Sequence, residues 1–178
     1  MAGRDDQELV RECLAGSSGA FEGLVERYQG PVFNVALRIT GRRDDAEDVA
    51  QAVFLKAYES LSRYDHRFKF FSWLYRMAVN ESINAARRGG RFEPLDESHA
   101  VVDGGTEEAD RDRILQQGIA QLPPDSRAVI TLRHFQGLSY DEMAEVLQIP
   151  ANRVRSRLFS ARNRLRTILT NRGLHADD

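Results

Sequence analysis

A short segment of the chain, residues 151–166, has a pattern that strongly restricts how it can fold. It contains six arginines and no acidic residue, although the formal net charge of the 178-residue chain is -2. An α-helix turns by about 100° per residue, which gives this segment one apolar face, formed by Val154, Leu158, Ala161 and Leu165. The arginines fall on the two flanks of the segment. The pattern predicts a helix that packs on a core along one side and presents a cationic surface along the other.

The residues before this helix predict a second, shorter one. Ser139 can cap its start, and Glu142 three residues later completes a capping box. We expect the short helix to end near Leu147, since Pro150 cannot continue it. The turn between the two helices lacks the glycine that is often found there. Two helices joined in this way predict a helix-turn-helix, whose second helix enters the major groove of DNA.

The exposed part of the basic helix is suited to a major groove. Its arginines would reach phosphates, and the polar and aromatic side chains between them would reach base edges. The alternative is an amphipathic helix that is simply solvated. We predict that the DNA-contacting residues are Arg153, Arg155, Ser156, Arg157, Phe159, Ser160, Arg162, Asn163 and Arg164.

A second stretch, residues 63–88, alternates aromatic and cationic side chains. Single-stranded nucleic acid binds such surfaces, because its bases stack on rings while its phosphates pair with cations. From Ser72 onward a helix would bring four polar residues to one face: Arg76, Asn80, Asn84 and Arg87. The alternative, that the rings belong to the core, is as plausible for Phe71 and Trp73 and less so for Phe68 and Phe70. We predict that the strand-binding residues are Arg67, Phe68, Lys69, Phe70, Trp73, Arg76, Asn80, Asn84, Arg87 and Arg88.

An acidic stretch separates the two basic regions. Residues 92–112 carry one basic and eight acidic side chains, whereas residues 63–91 carry seven basic and two acidic ones. Such a segment buries too little apolar surface to fold alone. We therefore predict a first domain over 1–90, a flexible acidic linker over 91–112 and a second domain over 113–172.

Both domains are predicted to be all-α. The apolar residues between positions 46 and 61 follow the 3-4 spacing of an amphipathic helix, and no segment alternates as a strand does. We expect Gly30-Pro31 to interrupt the helical pattern, and we expect Pro123-Pro124-Asp125 to open a helix that runs to about Phe135.

Several classes of protein are excluded by composition. No apolar run approaches the roughly 18 residues that span a membrane, and no signal peptide opens the chain. The single cysteine, Cys13, forms no intrachain disulfide, and the four histidines lack the spacing of metal ligands. These observations predict a cytoplasmic protein with no metal and no cofactor.

Five segments carry a resemblance to a known family, and their order and spacing make it specific. They are DDAEDVAQAVF at 44–54, FSWLYRMAVN at 71–80, LP at 122–123, GLSYDEMA at 137–144 and VRSRL at 154–158. With these segments the chain resembles the bacterial RNA polymerase sigma factors of the extracytoplasmic-function (ECF) group, similar to sigma-E. The resemblance covers nearly the whole chain and implies two helical domains on a flexible linker.

The resemblance implies roles for particular residues. The basic helix would bind the −35 promoter element as duplex. The aromatic-cationic stretch would bind the −10 element, with Asn80 and the loop 67–72 holding a base flipped from the non-template strand. The helix around Asp48 would dock on the clamp helices of the largest polymerase subunit through Asp45, Glu47, Asp48, Gln51, Phe54 and Leu55.

The resemblance also implies partners. Core RNA polymerase, promoter DNA and an anti-sigma factor are the expected partners, with no enzymatic activity, no small-molecule substrate and no insertion into a membrane.

The chain departs from the family pattern at three positions. Ala52 lies where an acidic residue is usual in the family, Asn84 where aspartate is frequent, and Ser160 where a basic residue is common. Ala52 bears on one polymerase contact, and Asn84 and Ser160 bear on promoter preference.

Two other functions account for only part of the sequence. A helix-turn-helix repressor or activator with an N-terminal dimerisation or sensing bundle explains the basic helix but leaves the aromatic-cationic stretch without a role. A nucleic-acid enzyme such as a recombinase would need clustered carboxylates or an activated nucleophile, and the sequence offers neither.

Overall fold

A computed structural model describes residues 5–89 and 107–171, and within them every regular element is a helix. The α-helices are α1 Asp6–Leu14, α2 Ser18–Thr40, α3 Arg43–Ser60, α4 Phe70–Arg88, α5 Glu107–Ala120, α6 Pro124–Ile130, α7 Tyr140–Leu147 and α8 Ala151–Thr170. The first domain contains α1 to α4, with a 3₁₀ turn at Leu61–Arg63 between α3 and α4, and the second domain contains α5 to α8. The all-α prediction is confirmed.

The first domain is a bundle in which α2 packs against α1, α3 and α4. Its core contains fully buried Leu24, Val35 and Leu74. The predicted interruption at Gly30-Pro31 is wrong, because α2 continues through Pro31. A proline inside a helix costs about 3 kcal/mol, and burial of apolar residues on both sides of it, including Leu24 and Val35, offsets that cost.

The second domain begins earlier than its sequence suggests. Helix α5 begins at Glu107, so part of the segment predicted as linker is helical. Further along, Gly118 lets α5 approach α8 closely, since an added Cβ would lie 2.8 Å from Leu169 Cδ2. The rest of the predicted linker lies outside the described residues.

The helix-turn-helix forms as predicted. Ser139 Oγ accepts from the backbone N–H of Glu142, and a carboxylate oxygen of Glu142 accepts from the N–H of Ser139, which is the full capping box. In place of the missing glycine, Gln148 adopts the left-handed conformation with φ 54°. The predicted helix from Pro124 to Phe135 is α6 followed by a π-helical turn, Thr131–Phe135.

The two domains pack against each other. Helix α4 contacts α6 and α7, and α2 contacts α6 and the π-helical turn. The buried apolar residues of both domains form one continuous cluster. Arg38 of α2 joins this contact, because its guanidinium lies 3.5 Å from the centre of the Phe135 ring and its Nη1 donates to Gln116 Oε1 at 2.9 Å. Burial at the contact lowers the pKa of Arg38.

Candidate nucleic-acid interface

Helix α8 divides into the two faces that its sequence predicts. Val154, Leu158 and Ala161 are buried on one side. On the other, Phe159 is 67% exposed. The predicted DNA-contacting residues are exposed except for half-buried Asn163; the exposed ones are Arg153, Arg155, Ser156, Arg157, Phe159, Ser160, Arg162 and Arg164. A cationic surface on a rigid helix therefore faces solvent.

Two arginines of α8 are held by aromatic side chains from other elements. The Arg155 guanidinium lies 5.3 Å from the centre of the Tyr140 ring. The Arg133 guanidinium lies 5.1 Å from the centre of the same ring. Arg162 meets His134 of the π-helical turn, with Nε and Nη2 at 3.3 Å and 3.2 Å from His134 Nε2. Neither Tyr140 nor His134 was predicted as a site residue from the sequence, because their positions depend on packing between elements.

His134 accepts hydrogen bonds from Arg162 only when its imidazole is neutral and its Nε2 carries no proton. Burial, together with the charges of Arg162 and Arg133, lowers its pKa from the ordinary value of 6.5. The arrangement thus favours the neutral ring and a fixed orientation of the Arg162 guanidinium.

The loop before α4 is ordered by local hydrogen bonds. Arg67 folds back on Asp65, where its Nη2 lies 2.6 Å from a carboxylate oxygen, and this hydrogen bond lowers the pKa of Asp65 to about 2. The Tyr64 hydroxyl donates to the carbonyl of Phe68, and the Phe68 ring is 44% exposed. Phe68 is therefore available for stacking.

The aromatic rings of the predicted strand-binding set separate into two groups. Phe70 and Trp73 are 2% and 8% exposed, and they pack on each other and on Tyr64. Their prediction as stacking surfaces does not fit this arrangement, since the apolar spacing at the start of α4 directs both rings into the core. Of the rings in that set, only Phe68 keeps an open face.

The polar residues of the predicted set lie along one side of α4. Positions 76, 80, 84 and 87 follow helical spacing, and Asn80, Asn84 and Arg87 are exposed while Arg76 is half-buried. Arg88 is exposed beside them and lines a cleft with Asp45 and Asp48 of α3. We call the side that carries Lys69, Arg76, Asn80, Asn84 and Arg87 the α4 stripe.

Both ends of the α4 stripe contact the second domain. Lys69 Nζ lies 2.8 Å from Glu142 Oε1 of α7, and Arg87 Nη2 lies 2.8 Å from Asp125 Oδ2 of α6. Nearby, the hydroxyl of buried Tyr75 donates to Gln136 Oε1 at 3.0 Å. These pairs join residues that are far apart along the chain, and no sequence pattern predicted them.

A third surface runs along the outer side of α3. Asp48, Gln51 and Leu55 are exposed at helical spacing, whereas Phe54 is half-buried against the core. Asp45 and Glu47 pair with Arg42 and Arg43. Tyr58, which is 55% exposed, extends the row one turn further and was missed by the sequence analysis, although the spacing from Leu55 could have found it.

Comparison with known proteins identifies both domains. Residues 24–92 match the Sigma-70 region 2 family, and residues 112–165 match the Sigma-70 region 4 family. The chain belongs to the ECF sigma factors. It is thus a transcription initiation factor and not an enzyme, and this finding favours the sigma-factor prediction over the repressor and recombinase alternatives.

Curated relatives of this sigma factor match it over most of their length. The RNA polymerase sigma-H factor of Pseudomonas aeruginosa is 38% identical over 173 residues, which cover 88% of this chain and 90% of the relative. The ECF RNA polymerase sigma-E factors of Haemophilus influenzae and Escherichia coli K12 are 39% and 36% identical, each over 88% of this chain and 91% and 90% of their own.

Solved structures share the fold of the sigma factor. CnrH, in complex with the cytosolic domain of CnrY, has a TM-score of 0.71 and 27% identity over 93% of this chain and 97% of its own. The sigma factor RpoE of Bartonella quintana, in complex with the anti-sigma factor NepR, has a TM-score of 0.68 and 23% identity over 84% and 96%.

Within residues 5–89 and 107–171, no helix combines the length and the apolar character of a membrane span. Within the same ranges, no group of three or more histidine, cysteine or acidic side chains is placed to hold a metal ion.

Proposed function

We propose that this sigma factor directs core RNA polymerase to promoters by recognising two elements in different states. Helix α8 binds the −35 element as duplex, and the α4 stripe with the preceding loop binds the −10 element after its strands separate. The chain forms or breaks no covalent bond. Its contribution is selective binding, which lowers the free energy of the open complex at matching sequences.

The −35 proposal is supported by the chemistry of α8. Its exposed arginines can neutralise phosphates, which supplies affinity that depends on salt. The residues between the flanks carry short polar or aromatic side chains that can reach base edges. Because Tyr140 and His134 hold Arg155 and Arg162, these two arginines enter the groove with less loss of side-chain freedom than a mobile arginine.

The −10 proposal is supported by exposed amides beside an exposed ring. Asn80 and Asn84 lie on the α4 stripe, and Phe68 lies in the loop before the helix. Flipping a base costs a few kcal/mol, and stacking returns roughly 1–3 kcal/mol per base. Asparagine amides can hydrogen-bond the edge of an unpaired base, so only matching bases would offset the cost. Strand separation is then coupled to sequence.

The polymerase-binding proposal rests on the exposed row of α3. Asp48 and Gln51 supply polar contacts, and Leu55, which is 61% exposed, supplies an apolar anchor. Acidic residues here favour fast encounter with a basic partner surface. We expect Leu55→Ala to weaken binding to core polymerase about tenfold, and Leu14→Ala, which truncates an exposed leucine of α1, to leave it unchanged. Equal effects of the two substitutions would show that Leu55 is not part of the polymerase-binding surface.

The single observation that carries the proposal is the exposed cationic face of α8 in a folded helix-turn-helix. The first domain of the same chain matches the Sigma-70 region 2 family. In vitro transcription with core polymerase and genome-wide mapping of start sites tests it. The expected result is a set of transcription start sites, each preceded by the same two sequence motifs at a fixed spacing. A chain that does not co-purify with core polymerase, yet protects duplex operators alone, would instead be a repressor.

We assign an anti-sigma factor as a further partner, as the resemblance implies. CnrH, which is similar to this chain, was solved with the cytosolic domain of CnrY. Affinity purification of the tagged sigma factor from its own cells, followed by mass spectrometry, tests the assignment. Recovery of a protein that suppresses transcription in the reconstituted assay supports it, and recovery of polymerase subunits alone contradicts it.

A further inference from the structure

The turn before α4 carries the exposed ring that the proposed function assigns to base stacking. Residues 65–68 form this turn, and the backbone N–H of Phe68 donates to the carbonyl of Asp65 at 3.1 Å. The Phe68 ring is 44% exposed, whereas Tyr64, directly before the turn, is 4% exposed. A buried ring therefore precedes the exposed ring by one turn of chain.

The Tyr64 ring is fixed in the core of the first domain. Its centre lies 5.6 Å from that of the Phe70 ring and 5.4 Å from that of the Trp73 ring. Both neighbours belong to α4 and are buried. Edge-on and tilted contacts of this kind are favourable for aromatic pairs, so α4 sets the position of the Tyr64 hydroxyl.

The Tyr64 hydroxyl connects this core to the turn. It donates a hydrogen bond to the backbone carbonyl of Phe68, the residue whose ring is exposed. Burial raises the pKa of Tyr64, and the charges of Asp6 and Asp65 add to this effect, so the hydroxyl keeps its proton and remains a donor. The backbone of Phe68 is thereby held against the core.

Asp65 closes the middle of the turn. Its Oδ1 accepts from the backbone N–H of Arg67 at 3.0 Å, and both of its carboxylate oxygens accept from the Arg67 guanidinium. An aspartate that accepts from the backbone two residues later forms an Asx turn. The turn is therefore closed within itself, and the Tyr64 hydroxyl connects it to the body of the domain.

The order of the turn matters for stacking, because the ring must be in place when the base arrives. An ordered side chain loses less conformational freedom on binding than a mobile one. Only the molecules whose turn has the competent geometry bind tightly, so the apparent affinity falls with their fraction. A chain without the Tyr64 hydroxyl would keep both rings and would sample more than one geometry of the turn.

We propose that Tyr64 is a positioning residue for capture of the melted −10 strand, whose hydroxyl holds the turn 65–68 so that the Phe68 ring can stack on an unpaired base. Tyr64 is buried and acts through Phe68 without touching the strand. This inference rests on the proposed −10 function of Phe68 and the α4 stripe.

Tyr64→Phe tests the proposal, because it removes the hydroxyl and keeps the buried ring. The probe is a fluorescent single-stranded oligonucleotide with the −10 non-template sequence of a promoter mapped with this sigma factor, added to the full chain on core polymerase. We expect Y64F to bind it about three- to fivefold more weakly than the wild type, since one hydrogen bond no longer favours the competent turn. Binding to core polymerase and to a −35 duplex should stay unchanged. Wild-type affinity of Y64F for the probe would overturn the proposal.

A series of abasic probes separates positioning from a general loss of structure. Each probe lacks the base of one −10 nucleotide. At the position whose base stacks on Phe68, removing the base should lower the affinity of the wild type and abolish the difference between the wild type and Y64F. If Y64F binds every probe more weakly by the same factor, the hydroxyl supports the fold and does not position the ring, which contradicts the proposal.

A double-mutant cycle tests whether Tyr64 acts through Phe68. Phe68→Ala removes the ring that the turn presents. We therefore expect Y64F to weaken strand binding in the wild-type background and to have no further effect in the F68A background. Additive losses in the double variant would show that the two residues act independently, and the positioning role would be lost.

Tyr28→Phe is the matched control. The Tyr28 ring belongs to the same aromatic cluster, with its centre 5.7 Å from that of Phe70, but its hydroxyl donates to Asp6 and not to the turn. We expect Y28F to bind the probe as the wild type does, even if chemical denaturation shows that Y28F and Y64F are destabilised alike. Equal losses of strand affinity in the two variants would exclude a specific role for Tyr64.

Failure of the −10 function has a different signature. If the F68A and N80A chains both bind the probe as the wild type does, the strand binds elsewhere, and the proposed function fails together with the inference. If F68A weakens binding but Y64F does not, the −10 function stands, and only the positioning role of Tyr64 is overturned.

Discussion

The two surfaces that we assign to DNA differ in how they are presented. The arginines of α8 are exposed, and two of them are held in place by Tyr140 and His134 within the same domain. On the α4 stripe, by contrast, the terminal cations Lys69 and Arg87 are paired with carboxylates of the other domain. The α8 arginines are thus positioned within their own domain, whereas the two end cations of the α4 stripe are positioned by contacts between the domains.

The difference follows from what each surface must bind. A duplex is present before initiation, so a rigid exposed helix can engage it at once. A melted strand exists only after polymerase and promoter have met, so its binding surface is needed at a later step. Its bases are unstacked, and the exposed Phe68 ring and the amides of Asn80 and Asn84 suit them, whereas the arginines of α8 suit the phosphates of a duplex.

The strand-binding surface is tested most strongly at Asn80. We expect Asn80→Ala to lower open-complex formation and transcription about tenfold, since it removes an amide contact to an unpaired base, while binding to core polymerase stays near normal. Permanganate footprinting of melted DNA and a polymerase-binding assay measure the two effects. Asn34→Ala, at an exposed asparagine of α2, is the matched control. A polymerase-binding defect of the same size would contradict the assignment.

The duplex-binding surface is tested at Arg162. We expect Arg162→Ala to lower affinity for the −35 duplex about tenfold, because a well-placed arginine contributes about 1–3 kcal/mol of discrimination at one base pair. Binding titrations against duplexes substituted at each −35 position measure this. Preference should be lost at one position, and an equal loss for every duplex would instead place Arg162 on the phosphates.

Arg157 lies on the opposite flank of α8 and gives the matching comparison. We expect Arg157→Ala to lower affinity for all duplexes alike and to reduce the slope of log affinity against log salt by about 1, as for one lost phosphate contact. The same duplex series at four salt concentrations checks it. A defect confined to one base pair would make Arg157 a specificity residue.

The smallest expected effect is a pH dependence at His134. Burial and the charges of Arg162 and Arg133 lower its pKa from 6.5, so the ring is neutral at pH 7.5 and protonates only at more acidic pH. Protonation removes the acceptor for Arg162, and we expect −35 base preference to decline severalfold from pH 7.5 to 5.5. His134→Gln keeps an acceptor that does not titrate, so its preference should change less with pH. Parallel pH profiles in both proteins would contradict the role.

The lowered pKa of His134 also affects the free energy of unfolding. Because the unfolded chain protonates His134 near pH 6.5 and the folded chain only below that, the unfolded state binds more protons in this window. The contribution of His134 to stability is therefore lost as the pH falls below about 6.5. Chemical denaturation of wild type and His134→Gln at pH 7.5 and 5.5 should show a larger loss in the wild type.

The sequence predicted what depends on neighbouring residues. The capping box of Ser139 and Glu142, the apolar face of α8 and the helical character of both domains follow from spacing alone, because residues three and four apart share a helix face. The predicted interruption at Pro31 failed because tertiary packing outweighed a local preference. The start of α5 at Glu107 was missed because the low apolar content of the acidic stretch favoured a linker.

What the sequence did not predict depends on residues that are far apart along the chain. Lys69 and Glu142 are separated by 73 positions, and no periodic pattern connects them. Phe70 and Trp73 match the composition of a stacking surface, but that composition also suits a core, and only packing distinguishes the two. The positions of Tyr140 and His134 beside α8 are likewise a property of the assembled domain.

The central claim is that α8 binds the −35 element as duplex, whereas the α4 stripe binds the −10 element as a melted strand. Binding of the wild-type, N80A and R162A chains to a −35 duplex and to a single-stranded −10 oligonucleotide, each in the presence of core polymerase, measures this directly. We predict that Asn80→Ala weakens binding to the single strand alone and that Arg162→Ala weakens binding to the duplex alone. Equal losses on both probes for either substitution would contradict the claim.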